Sequence, residues 1–450
     1  MNLQKTAVLE TNQEGQEAFD TSKCIHCGFC LEVCPTYKIA RNEAESPRGR
    51  LWLMRQVHTG RMEASEGLIR RIDTCLGCLA CESVCPAGVP YRHILEGFRG
   101  YVQDHGPRPA LKRLAERALG FLFANKALFS FLGALGYSLD GARKALTSVS
   151  VRLFGKKPVF LYRGLFGLLP EYSGIPNRVF ISKSLAPLRV VADKTAKPLV
   201  VFQSCAVPVF FSKDLDSLIE VLRVLGHRVE LVKAESCCGA LHAHMGLVQA
   251  AKKQALRNIR AFGRGDLAGM AIVVMPSGCG NFLKQYPKVF EGDELASQKA
   301  RDFSARVVDF LELLFKEEGL DRLLVHKVEL TAVVDEPCHL VYGQGISKEL
   351  YGVLSRVPGL RLLPFEDAKR CCGAAGSYML LEPEMSREVL QEKIRQIKQA
   401  GVKAVITPNV GCQLQIRKGL LEAGLEDVAV INPIRVLLSS ITGRKLDIHG

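Results

Sequence analysis

Residues 24–35 read CIHCGFCLEVCP and residues 75–86 read CLGCLACESVCP. Both have the form C-x2-C-x2-C-x3-C-P, the run that holds paired [4Fe–4S] clusters. Three cysteines two residues apart can curl round one cubane and present a thiolate each to a different iron. The fourth cannot turn back onto the same cubane, so it reaches the other one. The spacing therefore predicts two crossed sets: Cys24, Cys27 and Cys30 with Cys85, and Cys75, Cys78 and Cys81 with Cys34. Pro35 and Pro86 fix φ and lack an N–H, so each ends its loop and turns the chain away. Zinc usually takes two pairs of ligands per site and has no use for this interlocked spacing. A disulfide framework is the other plain alternative.

Sixteen cysteines in 450 residues is a high count. The first twenty residues are polar and acidic, with no apolar segment of the secretory kind. Reduced, metal-binding cysteines are expected, and with them a cytoplasmic location. The formal net charge of +14 is uneven: residues 91–200 hold eighteen Lys or Arg against six Asp or Glu. Such a surplus is either a solvated surface or a contact for an acidic partner subunit or an anionic membrane face. The basic residues form no recognisable reader motif, so nucleic acid is not an expected partner.

Outward from the first run, residues 1–20 read as a lead-in. Ser46 and Pro47 form an N-cap and first-turn pair that starts a helix, with Leu51, Leu53, Met54 and Val57 as its apolar side. Arg48 and Arg50 donate to cluster sulfurs, neutralise the anionic clusters, or sit in a surface turn. A short helix is expected over residues 66–73. Tyr91, Ile94, Leu95, Phe98, Tyr101 and Val102 then recur at helical spacing. The first domain thus reads as all-helical, over residues 1–105. Residues 106–197 form a basic helical connecting segment and linker. Within it residues 119–137, LGFLFANKALFSFLGALGY, are apolar enough for a buried or membrane-surface helix. Peripheral attachment to the inner face of the cytoplasmic membrane is one expected use. Residues 155–198, rich in Gly, Pro and Lys, read as a linker.

The second half repeats itself. Cys205, Cys237, Cys238 and Cys279 are matched by Cys338, Cys371, Cys372 and Cys412 at offsets of 133, 134, 134 and 133 residues. Each vicinal pair is followed by glycine, Gly239 or Gly373. In each repeat the cysteines follow short apolar runs: 199–202, 229–232 and 271–275 in the first, then 331–334, 360–363 and 404–406. Helical patterns at 215–225 and 244–260 lie between the first three. Strand–helix alternation implies parallel sheets, domains 198–325 and 326–450, with all four thiols of each repeat at the C-terminal edge where ligands bind. Those eight thiols could hold a further iron–sulfur cluster, act as redox-active dithiols, or pack as small hydrophobes. His242, His244 and His339 lie near them, to orient a substrate or simply to hydrogen-bond. Gly263-Arg264-Gly265 is too short for a dinucleotide fingerprint, and no flavin, nicotinamide or P-loop signature is visible.

The combination of both cysteine runs, the SPRGR segment and the two C-C-G repeats resembles the iron–sulfur subunit of glycolate oxidase (glycolate dehydrogenase). The C-C-G repeats are shared with heterodisulfide reductase, lactate-utilisation and anaerobic glycerol-3-phosphate dehydrogenase subunits. In heterodisulfide reductase relatives the repeat ends in C-x-x-C; Pro276 and Asn409 stand here at the first of those positions. The resemblance implies an α+β multidomain protein: a two-[4Fe–4S] ferredoxin-type domain followed by two α/β C-C-G domains. It also implies an oxidoreductase complex in which FAD on partner subunits oxidises a 2-hydroxy acid such as glycolate. This chain would then pass electrons through its clusters to a quinone or another acceptor, with no catalytic residue of its own.

Overall fold

The computed structural model describes residues 21–135 and 197–447. The expected lead-in, and all of the linker except its last two residues, lie outside these. Helices Pro47–His58, Glu66–Asp73 and Tyr91–His105 enclose a core of Leu51, Met54, Leu68, Ile72, Ile94 and Phe98. The Ser46 hydroxyl accepts from the Gly49 N–H, so the N-cap and Pro47 work as expected. Ser65 caps the next helix in the same way through the Leu68 N–H.

The apolar stretch from residue 119 is not one helix. Helix Ala110–Ala124 ends, and a second helix, Lys126–Leu135, leaves at 97°. Asn125 makes the corner: its backbone is extended and its side-chain oxygen accepts from the Leu128 N–H, capping the new helix. Among the described residues no single helix is long and apolar enough to cross a membrane.

Two four-stranded parallel sheets follow. The first contains β1 (Pro198–Phe202), β2 (Arg228–Leu231), β3 (Ala271–Val274) and β4 (Val307–Asp309), in the order β2-β1-β3-β4. The second contains β5 (Leu330–Val334), β6 (Leu360–Leu362), β7 (Ala404–Ile406) and β8 (Ala429–Ile431), in the matching order β6-β5-β7-β8. Central strands buried on both faces read as unbroken apolar runs, LVVF in β1 and AIVV in β3. The alternation was legible; the fourth strand of each sheet, three residues long, was not. The expected helix at 244–260 is two helices, Ala240–His244 and Val248–Phe262. Gly246 breaks it with φ +76°, and a Cβ there would lie 2.5 Å from the backbone of Arg99.

The sheets share one apolar core, in which helix Ser212–Val224 packs on helix Pro433–Thr442. Near the cysteine edge helix Ser277–Leu283 crosses helix Cys338–Gln344. The helical unit sits against both repeats. Arg99 holds the carbonyls of Ile72, Asp73 and Cys75 from one side and that of His244 from the other. Lys112 bridges Asp73 to Glu382 of the second repeat.

Candidate metal centre

The two cysteine runs fold as tight loops whose helices begin beside the thiols. Gly28 (φ +89°) precedes helix Phe29–Val33, and Pro35 opens helix Pro35–Ala40 immediately after Cys34. The second loop turns on Leu79 at φ +66° before helix Ala80–Ser83. Those short helices of the two runs pack on each other, which carries Cys34 across to the second run. Cys34, Cys75, Cys78 and Cys81 line one cavity. This is the crossed set expected from spacing. Of the other set, Cys24 and Cys85 border the same helical core, and Cys27 is exposed.

Around the cavity the thiols are held by neighbours. The Cys34 sulfur lies 3.3 Å from the Thr36 hydroxyl, and Tyr91 donates its hydroxyl to Cys75 at 3.6 Å. Burial pushes the Cys78 and Cys81 thiols well up; the charges of Cys338 and of Cys78, respectively, push them further. A bound metal reverses that balance, because a coordinated thiol is deprotonated. Arg50 and Arg92 also line the cavity. Arg92 reaches Glu96 through Nε at 3.2 Å, but its buried Nη2 has no partner among the described residues. Four soft donors, two guanidinium walls and one unsatisfied N–H fit an anionic, thiolate-bound iron–sulfur group. Among the described residues no three Cys, His, Asp or Glu groups close round a single metal ion.

Of Arg48 and Arg50, neither side chain is hydrogen-bonded to sulfur among the described residues, and only Arg50 lines the cavity, as a positive charge beside the thiols. Arg48 is tied to Glu43 at 2.6 Å and to the His26 carbonyl at 3.0 Å. Arg50 is fully buried and donates to the Arg71 carbonyl, Thr36, Glu45 and Thr74. It is the strut between the two loops, with no hydrogen bond to sulfur. Arg50→Met is expected to cost about 3–5 kcal/mol, because the buried Glu45 carboxylate loses its one fully buried cation and keeps only the half-exposed Arg71 and the Thr74 hydroxyl. A thermal unfolding midpoint unchanged from the parent chain would contradict that role.

Each C-C-G repeat brings its four thiols together at the C-terminal edge of its sheet. Cys205, Cys237, Cys238 and Cys279 pack in one apolar group. In the second repeat the sulfurs of Cys372 and Cys412 are 3.1 Å apart, and Cys371 neighbours Cys338 and Cys372. The glycine after each pair has a steric reason. Gly373 has φ +82° and a Cβ there would lie 2.4 Å from the Ser386 carbonyl oxygen. Asn409 donates to the Cys412 sulfur at 3.3 Å. The histidines hydrogen-bond: His242 with the Gly120 carbonyl, His244 with Glu96, and His339 with the Gly77 carbonyl. Arg92 gave no signal of its own in the sequence, and Asn409 was visible only as the residue standing where heterodisulfide reductase relatives carry the first cysteine of C-x-x-C.

Residues 20–89 match the family described as 4Fe-4S dicluster domain, and residues 199–284 and 333–417 match the one described as Cysteine-rich domain. The glycolate oxidase iron-sulfur subunit of Escherichia coli is 31% identical over 420 residues, 92% of this chain and 95% of that protein. A Bacillus subtilis protein described as "Probable glycolate oxidase iron-sulfur subunit" is 28% identical over 437 residues, 96% of each. One of the subunits of the fumarate reductase (CoM/CoB) of Methanothermobacter marburgensis is 25% identical over 93% of this chain and 72% of its own. A crystal structure of a hypothetical protein from Helicobacter pylori superposes with TM-score 0.51 at 8% identity, over 97% of this chain and 74% of that one. That last likeness concerns the fold alone.

Proposed function

Since the chain belongs to the glycolate oxidase iron–sulfur subunit family, we propose that it is the electron relay of a flavin-dependent 2-hydroxy acid dehydrogenase complex. Cys24, Cys27, Cys30 and Cys85 hold one [4Fe–4S] cluster, and Cys75, Cys78, Cys81 and Cys34 hold the other. FAD on partner subunits takes the hydride from glycolate or a similar acid, and a quinone or comparable acceptor receives the electrons. The observation that carries this reading is the cavity into which Cys34 crosses to join Cys75, Cys78 and Cys81. Such clusters supply one-electron transfer at a potential set by burial and nearby hydrogen bonds. The chain's own residues keep the group dry and positively walled: Tyr91, Leu76 and Leu79 exclude water, while Arg50 and Arg92 offset negative charge. The test is an iron count on the anaerobically reconstituted chain. The eight cysteines of the two runs account for about eight irons, and replacing all eight with serine should remove that number. Loss of only about four would leave one of the two sets without a cluster.

Contact with a membrane face or a flavoprotein partner is assigned to the bent helix pair, whose outer side exposes Leu111, Leu114, Phe121, Phe131, Leu132 and Leu135. The basic side chains on its first helix are less free than the charge count suggests. Lys112 is engaged by Asp73 and Glu382, and Arg113 by the Gly106 carbonyl. Arg117 is exposed. Leu114→Glu with Phe121→Glu should therefore abolish cosedimentation with anionic vesicles, whereas Arg117→Glu should weaken it chiefly at low salt. If vesicle binding is absent in the parent chain but flavoprotein binding is lost in the double variant, the face belongs to the partner.

A further inference from the structure

The thiols of the second repeat lie against the cavity loop of the helical unit. Leu76 and Cys78 of that loop pack in one apolar group with Cys338, Cys371 and Tyr378. Two hydrogen bonds grip the loop: the Tyr378 hydroxyl donates to the Thr74 carbonyl at 2.8 Å, and His339 Nε2 lies 3.2 Å from the Gly77 carbonyl. No thiol of the first repeat packs in that group. The first repeat instead meets the second through Asn409, whose Nδ2 donates to Cys412 while its Oδ1 accepts from the N–H of Gly278, beside Cys279. Equivalent positions in a duplicated sequence therefore stand in unequal places. The second tetrad touches the cavity loop, and among the described residues no thiol of the first packs with it.

We propose that Cys338, Cys371, Cys372 and Cys412 hold an iron–sulfur centre that exchanges electrons directly with the cavity of Cys34, Cys75, Cys78 and Cys81, and that the second repeat precedes the first in the electron path. The inference rests on the reading that the two N-terminal runs hold clusters. One electron leaves the cavity site and one arrives at the second repeat, with no bond or proton moved. The donor is the reduced flavin of the partner and the final acceptor is a quinone-class oxidant. A disulfide at Cys371 and Cys372 would need two electrons at once, a poor match for a one-electron neighbour. Soft thiolates in a closed, buried set suit iron better.

Paramagnetic resonance of the dithionite-reduced full chain, with iron counted, tests this. Cys371→Ser with Cys372→Ser should lower the iron content and change the line shape of the cavity signal, because its magnetic neighbour is gone. Cys237→Ser with Cys238→Ser should leave the cavity signal as it was. Where the first pair fails to fold, Leu76→Ala and Tyr378→Phe keep every thiol, and each should alter the cavity signal at full iron content. A cavity signal that responds to the first repeat only, or to none of these changes, overturns the proposal. Unchanged iron in the Cys371/Cys372 variant, together with two fewer thiols appearing on reduction of the chain, assigns a dithiol and overturns it as well. Failure of the underlying reading shows separately, as a Cys34→Ser chain that keeps its full iron and both N-terminal signals.

Discussion

Cys34→Ser is expected to remove the centre built by Cys75, Cys78 and Cys81, although Cys34 belongs to the other run. Serine offers a hard, weakly acidic hydroxyl where a soft thiolate is needed. Nothing else on the cavity wall replaces it: the nearby Thr36 hydroxyl is engaged with the Glu45 carbonyl at 2.8 Å. The loss should be about four irons per chain, with one of two paramagnetic signals gone. Cys85→Ser should do the reverse, disturbing the set of Cys24, Cys27 and Cys30. Comparing the residual signals of the two variants checks the crossing. Damage confined to the run that carries the mutation would refute it.

Cys78→Ala should separate the two halves of the reaction in the assembled complex. Cys78 stands between the cavity and the second repeat, so its loss interrupts the route while leaving the flavoprotein untouched. Reduction of the partner's flavin by glycolate should proceed at the parent rate in a rapid-mixing experiment. Reduction of an added quinone or dye should fall to background, a loss of at least about a hundredfold if the relay is the only exit for the flavin's electrons. Equal loss of both steps would mean that the variant has damaged assembly. Retention of both would mean that electrons leave by another path.

Much of this architecture was legible because cysteine spacing and strand periodicity are local signals. The spacing of the runs put Cys34 with Cys75, Cys78 and Cys81, which line one cavity, and the 133–134-residue offsets declared the repeat. Glycine after each vicinal pair was visible too, and Gly373 shows its cause in the close Ser386 carbonyl. What escaped either had no marker of its own or lay too far apart in sequence. β4 and β8 carry three residues each and lead to no cysteine, whereas β6 and β7, equally short, were read because each runs up to one. The corner at Asn125 hid in an apolar run because one capping amide outweighs composition. The burial of Arg50, the orphan N–H of Arg92 and the closeness of Cys78 to Cys338 are tertiary facts. A guanidinium reads as surface until four acceptors from separate segments surround it. Contacts between a loop at residue 78 and one at residue 338 leave no period to find.

The relay assignment is tested most directly by offering glycolate to the purified, iron-loaded, flavin-free chain under anaerobic conditions. Alcohol oxidation to a carbonyl needs a two-electron hydride acceptor, whereas an iron–sulfur centre takes electrons singly; flavin can do both. The chain alone should therefore show no turnover and no change in its cluster absorbance. Adding the flavoprotein subunits should bleach that absorbance and start dye reduction. Turnover of a hydroxy acid by the flavin-free chain would contradict the account and move the chemistry to the thiols of the C-C-G repeats.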